Sequence, residues 1–112
     1  MCCATASVAQ DWAQRAGDHV LTPTELVALT TDRTLVFYDD GRSMYSSGGA
    51  YSYTYASEQS AFGQFDLKEQ GTVCISYRNG FGRCDRYVRN GGRIVLLTEN
   101  GERFPVRVSE KN

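Results

Sequence analysis

Three tyrosines in the run Tyr51-Ser52-Tyr53-Thr54-Tyr55 recur at every second residue. In an extended chain that spacing puts all three phenols on one side. Such a row can line an amphipathic ligand pocket or form an exposed recognition strip. Equally, it can pack as the wall of a core with its hydroxyls at the rim. Arginine is the second group with chemistry to offer: Arg78, Arg83, Arg86 and Arg89 gather around the glycine-rich segment Asn79-Gly80-Phe81-Gly82. Arginines beside such a loop can grip a carboxylate or phosphate bidentately, with Phe81 as an apolar tip. The competing reading is a solvated strand face whose charges meet acidic residues elsewhere. Tyr51, Tyr53, Tyr55, Phe81, Arg83 and Arg86 are the candidate contacts. Their partner would be a protein, or a small amphipathic or anionic ligand.

Residues suited to catalysis are sparse. His19 is the one histidine, with no Ser or Cys nucleophile in a nucleophile-elbow setting, and it reads as a surface residue. Asp39-Asp40-Gly41 opens like a calcium loop but lacks the later acidic ligands, so it reads as a turn. The glycine runs at 48–49, 80–82 and 91–92 have neither a P-loop lysine nor a helix to receive phosphate. The expectation is no catalytic residue, no metal, no cofactor and no enzymatic activity.

Cys74 and Cys84 lie in a strand–turn–strand pattern that bends about Asn79. An antiparallel hairpin sets them opposite one another, and a non-hydrogen-bonded pair brings Cα atoms to ~4.5 Å, within disulfide reach. Two free thiols in a cytosolic protein are the alternative; a zinc site lacks its second Cys/His pair. Cys2 and Cys3 are adjacent, a spacing that strains any bond between them. They belong to a small, weakly apolar run in which Ser7 and Ala9 have the spacing that a signal peptidase accepts. Residues 1–9 therefore read as the truncated remnant of an export signal, its start codon assigned too far downstream. An irregular N-terminus and a lipid-modified Cys2 or Cys3 are the other readings. Export and an oxidised hairpin together imply a periplasmic or secreted protein.

The whole chain is 112 residues with 12 basic and 13 acidic side chains, which suits one domain and argues against a nucleic-acid binder. The balance conceals an asymmetry: residues 1–77 hold four basic and nine acidic groups, residues 78–112 eight basic and four acidic. No run approaches the ~18 apolar residues of a membrane helix.

The elements that must position these groups follow from punctuation. Residues 10–20 form a linker or a short helix with Trp12 and Ala16 on one face. Thr22-Pro23-Thr24-Glu25 is a helix start: Thr22 caps, Pro23 fits the first turn, and Glu25 closes a capping box. The helix ends near Thr30. Beyond Asp32, glycine-bearing turns recur every eight to twelve residues, the spacing of a β-meander. Strands are expected over 33–39, 43–56, 60–68, 72–78, 83–89, 93–98 and 102–108. The fold class is mainly β: a short N-terminal helix, then a six- to seven-stranded antiparallel meander, closed or partly closed into a small barrel. Residues 21–108 make the single β domain and 109–112 a tail.

The order of Leu21-Thr22-Pro23-Thr24-Glu25-Leu26, Tyr38-Asp39-Asp40-Gly41, Phe62-Gly63-Gln64-Phe65, Gly71-Thr72-Val73-Cys74-Ile75-Ser76-Tyr77, Cys84 and Val88-Arg89-Asn90-Gly91-Gly92 resembles a class of small exported bacterial proteins. That class is the domain of unknown function nine-nine-five and its relatives. The resemblance implies a periplasmic β domain with a paired-cysteine hairpin and transfers no activity. Two functions are therefore expected to compete: a non-enzymatic binding or inhibitor module, and a structural accessory domain of the cell envelope without a discrete ligand.

Overall fold

Residues 12–112 are described by a computed structural model; residues 1–9, read above as an export-signal remnant, with Cys2 and Cys3, lie outside the described residues. The helix forms where its cap demands. Thr22 Oγ1 accepts from the Glu25 amide at 3.1 Å, and Glu25 Oε1 accepts from the Thr22 amide at 2.9 Å. This reciprocal box, with Pro23 in the first turn, starts α1 (Pro23–Thr30). A two-residue strand, β1 (His19–Val20), precedes it.

Eight strands follow: β2 (Arg33–Phe37), β3 (Arg42–Tyr45), β4 (Ala50–Thr54), β5 (Ser60–Leu67), β6 (Thr72–Tyr77), β7 (Gly82–Asn90), β8 (Arg93–Thr98) and β9 (Arg103–Lys111). Each pairs antiparallel with the next, and β9 also pairs with β2, so the sheet closes on itself. The result is an eight-stranded up-and-down barrel, with β1 added alongside the far half of β7. Closure removes both sheet edges, which a meander of this length would otherwise expose.

Two expectations are corrected and one pair of alternatives is resolved. The barrel has eight strands rather than six or seven, because 43–56 is two strands. Gly48 and Gly49 adopt φ of +89° and +96°, and the amides of Ser46 and Gly49 close a tight turn onto Ala50 and Ser46. Only glycine takes two successive left-handed residues cheaply. Residues 109–111 are not a tail, because β9 continues to Lys111 to pair with the start of β2, Arg33 opposite Lys111 and Thr34 opposite Glu110. Over 12–18 the chain takes the linker alternative and not the short helix. Trp12 is buried on the outer face of the barrel against Val88, Val95 and Leu97, with the Arg86 guanidinium 4.7 Å from its ring centroid. A turn then closes where the Asp18 amide reaches the Arg15 carbonyl, with Gly17 at positive φ. An extended strap covers more of the β7–β8 face than one helical turn would.

Alternation sorts every strand into an inner and an outer side. On β7, Arg83, Asp85 and Tyr87 point inward, while Cys84 and Val88 face out toward the Trp12 strap. The inner core comprises Leu35, Tyr45, Val73, Ile75, Tyr87 and Leu96, and Leu21 and Leu26 from the helix region plug one end of the barrel. The turns after β2, β4, β6 and β8 ring the opposite end, which no helix covers among the described residues. The acidic front and basic back of the chain meet in ion pairs: Asp18 with Arg103 at 2.7 Å, Glu25 with Arg89 at 2.9 Å, Asp40 with Arg107 at 3.4 Å.

Cys74 and Cys84 form a disulfide across the β6–β7 hairpin, their Cα atoms 4.0 Å apart. They are direct partners in a register centred on Asn79, as the spacing predicts. Closing so short a loop restricts the unfolded chain by about 2–3 kcal/mol. Reduction, or the double variant Cys74→Ser/Cys84→Ser, is expected to lower unfolding free energy by that amount while leaving far-ultraviolet circular dichroism unchanged. Denaturant titration of oxidised and reduced protein checks it.

Candidate ligand-binding site

The open end of the barrel leads into a cavity of about 470 Å³, lined by Tyr53, Tyr55, Arg83, Asp85, Phe104 and neighbouring residues. That volume lies within the range of small-molecule pockets. An eight-stranded barrel is near the size at which side chains fill the interior or leave room for one small ligand. Here the plugged end is filled and the open end is not.

The tyrosine row descends from the mouth inward, and its members differ. Tyr55 lies just past the end of β4 and is 52% exposed, Tyr53 is half-buried, and Tyr51 is buried. The two expectations for this row thus divide along it. Tyr51 packs in the core, tilted against Tyr45 and edge-on to Tyr77, while Tyr53 and Tyr55 line the cavity. Two glycines make the arrangement fit. Gly63 sits between Tyr51 and Tyr77 in the sheet register, and a Cβ there would strike the Ser76 carbonyl. A Cβ on Gly41 would strike the Tyr53 hydroxyl.

Arg83 is the centre of the polar network. Its Nε donates to Asp85 Oδ2 at 3.2 Å and its Nη2 to the Tyr51 hydroxyl at 3.0 Å. Its guanidinium lies 5.4 Å from the Tyr53 ring centroid and 5.9 Å from that of Tyr77, within cation–π range. Tyr51 also bonds Ser43 at 2.9 Å, and deeper in the barrel the Tyr45 and Tyr87 hydroxyls share a hydrogen bond of 2.7 Å.

Burial raises the phenols of Tyr45, Tyr51 and Tyr87 well above their ordinary value, and those of Tyr53 and Tyr77 in the same direction. All five therefore stay neutral and serve as hydrogen-bonding groups, not as bases. The neighbouring phenols and Asp85 hold Arg83 charged despite its desolvation. Asp85, with 1% of its surface exposed, is pushed up to about 6 because burial outweighs the Arg83 contacts. Chemically, the site offers donors and aromatic faces to a ligand, and one carboxylate that titrates near neutrality.

The six expected contact residues separate into three places. Tyr53, Tyr55 and Arg83 meet at the cavity and Tyr51 supports them from below. Phe81 is 73% exposed at the β6–β7 hairpin tip and does not line the cavity. Arg86 lies outside the barrel, bonded to Gln14, Gln70 and Thr72 and stacked on Trp12, where it anchors the strap. It lies three positions on from Arg83, an odd offset that places the two on opposite faces. Asp85, Tyr77 and Tyr87 were not singled out in the sequence. The alternation Arg83-x-Asp85-x-Tyr87 carried the signal, hidden because charge clustering rather than strand parity grouped the arginines. His19 pairs with Arg89 near the plugged end, remote from the cavity.

No protein-family model, no curated protein and no solved structure matches the chain.

Asp85 makes stability depend on pH in a defined sense. Its folded value lies above the ordinary 3.8, so the proton it holds adds stability that is complete below about pH 4 and lost as pH rises through about 6. Asp18, Glu25 and Asp32 are lowered and act in the opposite sense, but only as pH falls through roughly 4. Between pH 5 and 7 the protein should therefore lose about 1 kcal/mol as pH rises. In Asp85→Asn that slope should vanish. Urea titrations of both proteins across this range measure it.

Proposed function

We propose that this protein is a non-enzymatic, exported binding module that takes a small amphipathic ligand into the open end of its barrel. The single observation that carries the reading is the unfilled cavity beside the Arg83–Asp85–Tyr51 network. Polar groups at the inner end and at the mouth, where Asp39, Glu99 and Glu102 stand, orient the polar part of a ligand, while Phe37, Leu96 and Phe104 along the sides take its apolar body. The lining supplies no histidine, serine or free thiol, which favours binding over turnover. A disulfide-locked hairpin suits an oxidising compartment, and the resemblance to exported β proteins belongs to the same proposal.

The rival reading, a structural accessory domain with no ligand, draws on Tyr51, which is core. It leaves no use for a charged pair beside an open cavity.

Two experiments test the proposal. Amide spectra recorded by NMR during titration with short-chain amphipaths of ten carbons should shift at Tyr53, Tyr55, Arg83 and Phe104. Tyr53→Ala should weaken binding at least tenfold while the variant remains folded. Shifts that are absent, or confined to the outer face, would count decisively against it. For export, the protein recovered from its native host should begin at Gln10 with Cys74 and Cys84 oxidised; a full-length, reduced product overturns that part.

A further inference from the structure

The donors that Arg83 leaves unused narrow the ligand, an inference that rests on the binding reading above. A guanidinium carries five N–H groups. Nε gives its hydrogen to Asp85 Oδ2 at 3.2 Å, and Nη2 gives one to the Tyr51 hydroxyl at 3.0 Å. Nη1 has no hydrogen-bond partner among the described residues. No buried side-chain nitrogen there lacks a partner, so Nη1 is open to solvent, and the side chain as a whole keeps 36% of its surface exposed. The space it opens into is the cavity that Arg83 lines. Two hydrogen bonds and the ring faces of Tyr53 and Tyr77 hold the guanidinium plane in place. Nη1 is therefore an oriented donor that a ligand can use without first ordering a flexible side chain.

The charge of the ligand follows from what surrounds that donor. Asp85 already matches the guanidinium, so the pair carries no net charge. A carboxylate on Nη1 would share the guanidinium with Asp85, and two like charges at that range repel in a pocket of low dielectric. Asp39 and Glu102, which also line the cavity, add to the repulsion. An ammonium meets the guanidinium as a like charge and has no lone pair to accept its hydrogen. An uncharged oxygen acceptor escapes both penalties. It takes a hydrogen bond from a charged donor, which is among the stronger kinds.

We propose that the cavity binds a neutral amphipath with a carbonyl head, an ester, ketone or amide whose oxygen accepts from Arg83 Nη1 and whose apolar body lies along Phe37, Leu96 and Phe104. Of the two ligand classes that the residue types suggest, amphipathic and anionic, Nη1 recruits the first and Asp85 opposes the second. Arg83 then has two duties: Nε and Nη2 tie it to Asp85 and the tyrosine network, and Nη1 reads the ligand.

The test compares three ten-carbon probes below their micellar concentrations on the intact oxidised protein: 2-decanone, decanoate and decylammonium. Binding is measured by calorimetry and placed in the cavity by NMR, at a pH above the value of about 6 where Asp85 takes a proton. The ketone should bind about tenfold tighter than either ion, the effect of one hydrogen bond from a charged donor. Loss of water from the ions would by itself favour the ketone, so infrared spectroscopy supplies the deciding readout. The carbonyl stretch of bound 2-decanone should lie at lower wavenumber than in hexane. Arg83→Lys keeps a positive charge for Asp85 but lacks the second and third nitrogens. It should weaken ketone binding about tenfold and return the stretch towards its hexane value. Either ion binding in the cavity as tightly as the ketone, or a bound carbonyl whose stretch is unshifted in the unaltered protein, would overturn the carbonyl assignment and leave the binding module standing. The infrared measurement needs no variant, so misfolding of Arg83→Lys cannot rescue the proposal. Failure of all three probes to enter the cavity would overturn both.

Discussion

A guanidinium and a carboxylate inside a barrel of about a hundred residues set the terms for the rest of this molecule. Removing the charges of Arg83 and Asp85 from water is expensive, and their mutual attraction offsets the cost only if the remaining donors and acceptors are met. The barrel meets them with phenols: Tyr51 takes one guanidinium hydrogen, and Tyr53 and Tyr77 supply ring faces. Tyrosines of that size then dictate the wall around them. Gly41 leaves room for the Tyr53 hydroxyl, while Gly63, opposite Tyr51 and Tyr77, is required by the Ser76 carbonyl of the neighbouring strand. A core built from rigid rings and a fixed ion pair cannot collapse as aliphatic side chains would, which is why the open end retains a cavity.

The outside of the barrel answers a different problem. Closure joins the last strand to the first of the eight, so contacts between residues distant in sequence must hold it. The ion pairs of Asp18 with Arg103, Glu25 with Arg89 and Asp40 with Arg107 each tie the acidic front of the chain to its basic back. The charge asymmetry is thereby spent within the molecule. Trp12 and Arg86 fasten the strap over the β7–β8 face, and the Cys74–Cys84 disulfide locks the hairpin that carries Arg83 and Asp85 at its inner side.

How far the residues foretold this depends on range. The helix cap, the hairpin register about Asn79 and the cysteine pair are local, governed by residues within a turn or a bend of each other, and each is where the spacing placed it. Strand number is the exception: Gly48-Gly49 reads as an interruption in one long strand, but its two positive φ values make a turn between two. The candidate site was half legible. Tyrosine alternation points to two lining residues, Tyr53 and Tyr55, and to the core Tyr51 beneath them, whereas charge groups Arg83 with Arg86 although strand geometry sends them to opposite faces.

By itself, the amino-acid sequence determined the elements and their partners in neighbouring hairpins, because hydrogen bonding, capping and the two-residue period act over short separations. Only the tertiary structure decided which face of each strand became the interior. That choice depends on ring closure between β2 and β9, and on the Trp12 strap claiming the other side. It turned one arginine into a buried network centre and another into a surface clamp. It also made one tyrosine core and two the lining of a cavity.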